Sequence, residues 1–197
     1  GNLKASGARE YLIKFIAVVN EKQQEKFGCT PVILWTMFWP YSILCEKGGR
    51  FEKERLTERM HAYDYDGTSA GMWECIQRST KELIADPEIP QISGSANIIP
   101  CGTSVVMARA DARINTKGAN ELTRDGYHMS FNLGRYLAAC TWFQRLFSNK
   151  GYSVLGNGYR VDDVEGIRPV TDEQAAILQE IAVRAIDSWN ELPSSYD

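Results

Sequence analysis

Apolar residues recur at helical spacing in four long segments of the chain. Apolar positions three or four residues apart predict amphipathic helices, here over residues 6–27, 68–85, 131–147 and 171–189. Thr171 and Gln174 form a capping box at the start of the last helix. In the first helix, the residues predicted to face the core are Tyr11, Leu12, Phe15, Ile16, Val18 and Val19.

Two short, continuous apolar runs predict buried strands over residues 31–35 and 96–100. The second run passes through a turn of small residues, 101–104, into a shorter predicted helix over residues 105–113. Such a passage from strand to turn to helix is typical of doubly wound folds. The pattern therefore predicts an α/β fold with a buried parallel sheet. A further helical turn is predicted near residues 52–60, inside a charged segment.

Asp125 and His128 stand just before the third long helix and form the candidate chemical pair. Gly126 makes a tight turn easy, and the carboxylate can then hydrogen bond one ring nitrogen and fix the tautomer. The other ring nitrogen is left to act as a base. The alternative interpretation is a turn capped by Asp125 and a half-exposed histidine, because the spacing is a short pattern. The other histidine, His61, is interpreted as a surface residue.

Aromatic residues gather where the first predicted strand ends. Trp35 ends that strand and Thr36 follows it, and Trp39 and Tyr41 stand further on, on either side of Pro40. Ligand crevices in open α/β sheets lie at the carboxyl ends of the strands. Trp35, Thr36, Trp39 and Tyr41 are therefore predicted to bind substrate. Core packing remains the alternative for Trp35.

Composition limits the partners. The chain of 197 residues is 44% hydrophobic, which suits a single domain over residues 1–197 with a filled core. Its net charge is −3 without a basic stripe, so no nucleic-acid partner is predicted. No apolar run is long enough to span a membrane. The cysteines form no CxxC or CxxH pair, so neither a metal nor another cofactor is predicted.

Three passages carry a resemblance to a known family. They are the apolar strand leading into residues 35–41, the passage 98–103 with the helix containing residues 107–109, and the stretch 122–130 followed by Gly134-Arg-Tyr-Leu-Ala-Ala-Cys140. Over about residues 31–147 the chain resembles the C-terminal part of the SGNH (GDSL-like) hydrolases, in an uncharacterised bacterial branch that is a domain of unknown function.

That resemblance implies a three-layer α/β/α sandwich with a flavodoxin-like parallel sheet. It also implies hydrolysis of an ester, such as an acyl or acetyl group on a carbohydrate, so that the partner is a small-molecule or carbohydrate ester. In the implied roles Asp125 orients His128. His128 then serves as general base for a serine nucleophile and as general acid for the leaving alkoxide.

The chain departs from the family at the nucleophile. The family carries a Gly-Asp/Asn-Ser block after its first strand, whereas Gly1 and Asn2 here are followed by Leu3. We therefore expect a domain that is incomplete at its N-terminus, with missing strands and a serine nucleophile upstream. Ser104, at the predicted turn between strand and helix, is a weaker candidate nucleophile. Ser130 is predicted to cap the following helix instead.

The alternative function is a catalytically inactive hydrolase-fold protein that binds carbohydrate or has a structural role. The sequence leaves the oligomeric state open. It also leaves the compartment open, because the chain starts with Gly1 and shows no signal-peptide pattern. A secreted or periplasmic location is expected if a signal peptide has been removed.

Overall fold

The computed structural model describes residues 8–42, 66–89, 92, 95–115, 122–160 and 167–190. Within these residues it contains the helices α1 (Ala8–Phe27), α2 (Ser69–Ile84), α3 (Cys101–Ala110), α4 (Leu133–Phe147) and α5 (Asp172–Asn190). The strands are β1 (Trp35–Thr36) and β2 (Ile98–Ile99), and single 3₁₀ turns occupy Ser95–Asn97 and Ser148–Lys150. The helical turn predicted near residues 52–60, and His61, lie outside the described residues.

The two strands pair in parallel, with Trp35 opposite Ile98 and Thr36 opposite Ile99. The pairing continues past the strands, because the Met37 N–H donates to the Ile99 carbonyl at 2.9 Å. The predicted strands 31–35 and 96–100 were too long. Apolarity marks a segment for burial, but a strand also needs a neighbouring backbone to hydrogen bond. The fold is mixed α/β, mostly helical, with a two-stranded parallel sheet among the described residues.

Helix α3 begins earlier than its sequence pattern predicts. The small residues 101–104, predicted as a turn, form the first turn of the helix directly after Pro100. The prediction was wrong because small polar residues favour turns but are also accepted in a closely packed helix. This first turn is buried throughout, and the helix packs against both α4 and α5.

The described core consists of two apolar clusters. The first joins α3, α4 and α5, and Trp39 packs against it. The second joins α1, α2 and the strands, and Trp35 packs against it. Trp189 of α5 lies in the second cluster, where its Nε1–H donates to the Thr103 hydroxyl at 2.8 Å. Helix α5 therefore ties the two clusters together.

The two longest helices differ in how well they are covered. Helix α5 begins at the predicted capping box, which is confirmed by reciprocal hydrogen bonds between Thr171 and Gln174. In α1, by contrast, Tyr11, Phe15 and Val18 are 73%, 60% and 56% exposed, so the predicted inner face is wrong at these positions. The face that does contact the core carries Leu12, Ile13 and Ile16. None of the helices that the structure describes is both long and apolar enough to cross a membrane.

Candidate functional site

The candidate site is built on the loop of residues 122–130, which leads into α4. Thr123 and Met129 form an isolated antiparallel bridge, so the loop closes on itself like a small hairpin. At its tip Gly126 has a φ of +99°, a backbone conformation that residues with a side chain rarely adopt. The tight turn expected from the sequence is therefore present, and it brings Asp125 and His128 to the same side.

Asp125 holds His128 through both of its carboxylate oxygens. Asp125 Oδ2 lies 2.6 Å from His128 Nδ1, which confirms the hydrogen bond expected from the sequence. Asp125 Oδ1 accepts the backbone N–H of His128 at 2.8 Å and that of Tyr127 at 3.2 Å. Because one carboxylate fixes both the backbone and the ring, the imidazole has little freedom to turn away.

The charge on Asp125 decides the tautomer of His128. Burial opposes ionisation of this carboxyl, but hydrogen bonds from the His128 ring and from the backbone N–H groups of His128 and Tyr127 outweigh it and lower its pKa to about 2. An ionised carboxylate only accepts hydrogen bonds, so His128 Nδ1 carries the proton. In the neutral ring the lone pair is then on Nε2. The Asp125 side chain is 11% exposed and that of His128 46%, so the ring projects towards solvent.

The chain that follows β1 anchors this loop. The Trp39 indole N–H donates to the Tyr127 carbonyl at 2.6 Å, and the Ser42 backbone N–H donates to the Gly126 carbonyl at 2.7 Å. Helix α3 supports the same segment, because Arg109 donates to the Pro40 carbonyl at 2.7 Å. The chain that follows β1 and the Asp125–His128 turn are therefore in direct contact.

Aromatic rings continue from this contact to the histidine. The Tyr41 and Tyr127 ring centroids are 5.4 Å apart, and the Tyr127 and His128 centroids are 3.7 Å apart. Tyr41, predicted to bind substrate, thus lies one ring away from His128. Sequence reasoning missed Tyr127. The available signal was that Tyr127 lies in the predicted turn between Asp125 and His128.

The predicted substrate residues fall into two groups. Trp39 and Tyr41 lie at the 122–130 loop, although the Trp39 indole N–H is already used to hold that loop. Trp35 and Thr36 form β1, and the Trp35 ring packs against the second core cluster. The alternative interpretation of Trp35 as a packing residue agrees with this placement.

Neither Ser104 nor Ser130, the two serines considered from the sequence, is in a position to act as a nucleophile. Ser104 is fully buried in α3, where its hydroxyl shares a 2.8 Å hydrogen bond with the Thr141 hydroxyl. Its role as a weaker candidate nucleophile is therefore wrong, because a substrate cannot reach it. The Ser130 hydroxyl accepts the Gly134 N–H at 2.9 Å and so satisfies the first turn of α4 as predicted, although the cap position itself falls on Asn132.

The described residues show no grouping of three or more His, Cys, Asp or Glu side chains that could hold a metal ion. Cys75, Cys101 and Cys140 are buried, Cys29 is exposed, and none of these four described cysteines is in a disulfide. Burial raises the pKa of Cys101 to about 12 and that of Cys140 to about 11, so both thiols stay protonated at neutral pH.

Comparison with known proteins gives a family. The family DUF4886, described as a domain of unknown function, matches residues 48–177. A crystal structure of a DUF4886 family protein from Bacteroides uniformis is similar over 88% of this chain, with 23% sequence identity and a TM-score of 0.57. The similar region is 55% of that protein's chain, so this chain spans about half of its length. No curated protein matches the chain. The chain belongs to the DUF4886 family.

Proposed function

We propose that Asp125 and His128 are the acid–base pair of an ester-hydrolysing site. The observation that carries the proposal is the 2.6 Å contact between Asp125 Oδ2 and His128 Nδ1, on a ring that is 46% exposed. The resemblance of residues 31–147 to the SGNH hydrolases gives the reaction class. A three-layer α/β/α sandwich with a flavodoxin-like sheet belongs to the same proposal, and the parallel pairing of the two described strands supports it.

In the proposed reaction the Nε2 lone pair of His128 takes the proton of a serine hydroxyl as its oxygen attacks the ester carbonyl. Asp125 stabilises the imidazolium that forms and keeps the ring in position. The Nε2 proton then passes to the leaving alkoxide, which departs as an alcohol and leaves an acyl-serine. Water repeats the sequence on the acyl-serine. The products are the carboxylic acid and the free serine.

The proposed substrate is an acyl or acetyl ester on a carbohydrate. The contacting rings of Tyr41, Tyr127 and His128 offer an aromatic surface on which a sugar ring can stack. Trp39 is a positioning residue in this scheme, because its indole N–H holds the Tyr127 carbonyl. The resemblance implies that the serine precedes Asp125 in chain order.

The test uses a fluorophosphonate probe, which labels activated serines, on the full gene product and on the 197-residue chain. We expect labelling and hydrolysis of p-nitrophenyl acetate by the full gene product, with both lost in His128→Gln. The matched control is His61→Gln, which changes the other histidine and should leave both signals unchanged. Mass spectrometry of the labelled peptide then identifies the nucleophile.

Two results would overturn the proposal. The first is a full gene product with neither labelling nor turnover on any ester in an acetylated-sugar panel. The second is activity that survives His128→Gln, whatever the effect of His61→Gln.

The alternative function is carbohydrate binding without turnover, and the continuous rings of Tyr41, Tyr127 and His128 favour it over a purely structural role. A glycan array separates the two functions. Binding that is weakened by Tyr41→Ala, in a protein that no fluorophosphonate labels, would support binding alone. Binding together with His128-dependent turnover would support the hydrolase.

A further inference from the structure

A cavity of about 600 Å³ opens between α4 and the segments that precede α5. Its volume is typical of small-molecule sites, which occupy roughly 300–1,000 Å³. Helix α4 supplies one wall, and Val154, Asn157, Tyr159 and Ile167 supply the other. Asp125, His128, Trp35, Trp39 and Tyr41 are not among the described residues that line it. The cavity is therefore distinct from the proposed ester site.

The walls of the cavity are apolar. Ala139, Phe143, Val154 and Ile167 are among the residues that line it. The Cys140 thiol, which also lines it, stays protonated because burial raises its pKa to about 11. An occupant would therefore be held mainly by burying its own apolar surface.

The polar group on the same wall is already engaged. The Tyr136 hydroxyl accepts the Gln179 side-chain N–H at 2.8 Å and an Arg160 N–H at 3.1 Å. These bonds use the lone pairs of the hydroxyl, and its proton is directed to the Cys140 side chain. Recognition of a polar group therefore falls to other side chains around the cavity, such as Arg135.

The mouth of the cavity is cationic. Phe131, which lines the cavity, lies under two guanidinium groups, with Arg124 at 4.7 Å and Arg135 at 4.4 Å from its ring centroid. Both arginines are exposed, and Arg135 also lines the cavity. In the part of the chain that the structure describes, no carboxylate forms a salt bridge with either arginine. Two cations that form no salt bridge with a described carboxylate, at the rim of an apolar cavity, attract an anionic head group.

We infer that this cavity binds an amphipathic anion, an unbranched alkyl chain of medium length that ends in a carboxylate. The chain fills the apolar space between Phe143, Val154 and Ile167, and the carboxylate meets Arg135 with Arg124 beside it. A neutral chain lacks the attraction of the two guanidinium groups, and a cationic chain is repelled by them. This site does not depend on ester chemistry at His128.

Calorimetric titration of the wild-type chain tests the inference with three probes of equal chain length. They are decanoate, 1-decanol and decyltrimethylammonium, each kept below its aggregation limit. We expect decanoate to bind about tenfold more tightly than decanol, which corresponds to about 1.4 kcal/mol, and the ammonium compound to bind most weakly. Inorganic phosphate alone should not bind measurably, because it has no chain to bury.

Two variants and one matched control localise the binding. Ala139→Trp places a large ring in the cavity from an exposed position of α4 and should abolish decanoate binding. Its matched control is Ala176→Trp, at an exposed position of α5 that does not line the cavity, and it should bind decanoate like the wild type. Arg135→Glu reverses the charge at the mouth, so decyltrimethylammonium should then bind more tightly than decanoate.

The inference is overturned if wild-type protein binds none of the three probes. It is also overturned if Ala139→Trp, folded by circular dichroism, binds decanoate as well as Ala176→Trp does. If Arg135→Glu leaves the preference for decanoate unchanged, Arg135 does not bind the carboxylate. The inference that the cavity selects an anionic ligand then fails. Loss of ester hydrolysis in His128→Gln with decanoate binding intact would separate this site from the proposed function.

Discussion

The 122–130 loop and the cavity beside α4 adjoin one another in the chain, yet they are built in opposite ways. In the loop, short polar contacts fix Asp125 against His128 within a single turn. In the cavity, apolar side chains on α4 face Val154 and Ile167, which come later in the chain. One region is organised by hydrogen bonds between near neighbours, and the other by packing between distant segments.

This difference decides how each region responds to mutation. A hydrogen-bonded turn has a definite geometry, so one changed atom alters its chemistry while the fold persists. An apolar cavity has no such single contact, so its properties change through volume and through the polar groups behind its walls. Gly134 lies where the two regions meet, because its backbone packs against the Leu122 carbonyl.

The largest effect is expected from removing the charge of Asp125 in the hydrogen-bonded loop. In Asp125→Asn the side-chain N–H₂ faces His128 Nδ1, so the ring proton moves to Nε2 and the base is lost. We expect ester hydrolysis by the full gene product to fall about 10⁴-fold, as for the wrong tautomer in a serine protease triad. Nitrogen NMR of the His128 ring should show the exchanged tautomer. A rate within tenfold of wild type would contradict the assigned roles.

The junction at Gly134 gives the next largest effect. A Cβ atom at this position would lie 2.2 Å from the Leu122 carbonyl oxygen, which is too close for any real contact. Gly134→Ala should therefore lower the free energy of unfolding by about 1–3 kcal/mol, despite the higher helix propensity of alanine. Urea denaturation measures this loss. An alanine at Gly158, where a Cβ meets open space, is the control and should be nearly neutral.

The same contrast explains what the sequence could predict. Asp125 and His128 were found because their contact spans three residues and one turn. The capping box at Thr171 was found for the same reason, and α5 begins where it indicates. The Trp39–Tyr127 hydrogen bond joins residues 88 positions apart, and no local pattern in the sequence encodes it.

Long-range packing also accounts for the predictions that failed. The apolar periodicity of α1 predicted which residues share a face of the helix. Which of those residues are buried depends on how the helix is oriented against the core, and Phe15 is exposed. The apolar run 31–35 was predicted as a strand, but pairing depends on where β2 lies, so only Trp35 of that run is paired. The cavity was missed because α4 supplies only one of its walls.

A smaller effect is expected from a substitution in the wall of the apolar cavity. Tyr136→Phe removes the hydroxyl that accepts hydrogen bonds from Gln179 and Arg160 behind the cavity wall. Because Gln179 is buried, we expect a loss of about 1–2 kcal/mol in the free energy of unfolding. Tyr159→Phe, at a tyrosine that is 75% exposed, is the matched control and should change stability by less than about 0.5 kcal/mol. Equal effects in the two variants would show that the buried network adds nothing to stability.

The smallest expected effect is a pH dependence that belongs to the loop alone. The pKa of Asp125 is lowered from 3.8 to about 2 in the folded protein, so the unfolded chain binds the proton more readily between these values. The stability that ionised Asp125 contributes is therefore fully present above about pH 4. It is lost as the pH falls towards 2.

After allowance for screening at the half-exposed His128 ring, this contribution is about 1 kcal/mol. It is measured as the difference in unfolding free energy between wild type and Asp125→Asn, first at pH 5 and then at pH 2. The subtraction removes carboxyl groups common to both proteins, such as Asp111, whose pKa is lowered by its hydrogen bonds to Arg113. The difference should shrink by about 1 kcal/mol on acidification. A difference that stays constant would mean that the Asp125–His128 contact does not stabilise the turn. The organisation of the loop would then have to come from its backbone hydrogen bonds and from the anchoring contacts of Trp39 and Ser42.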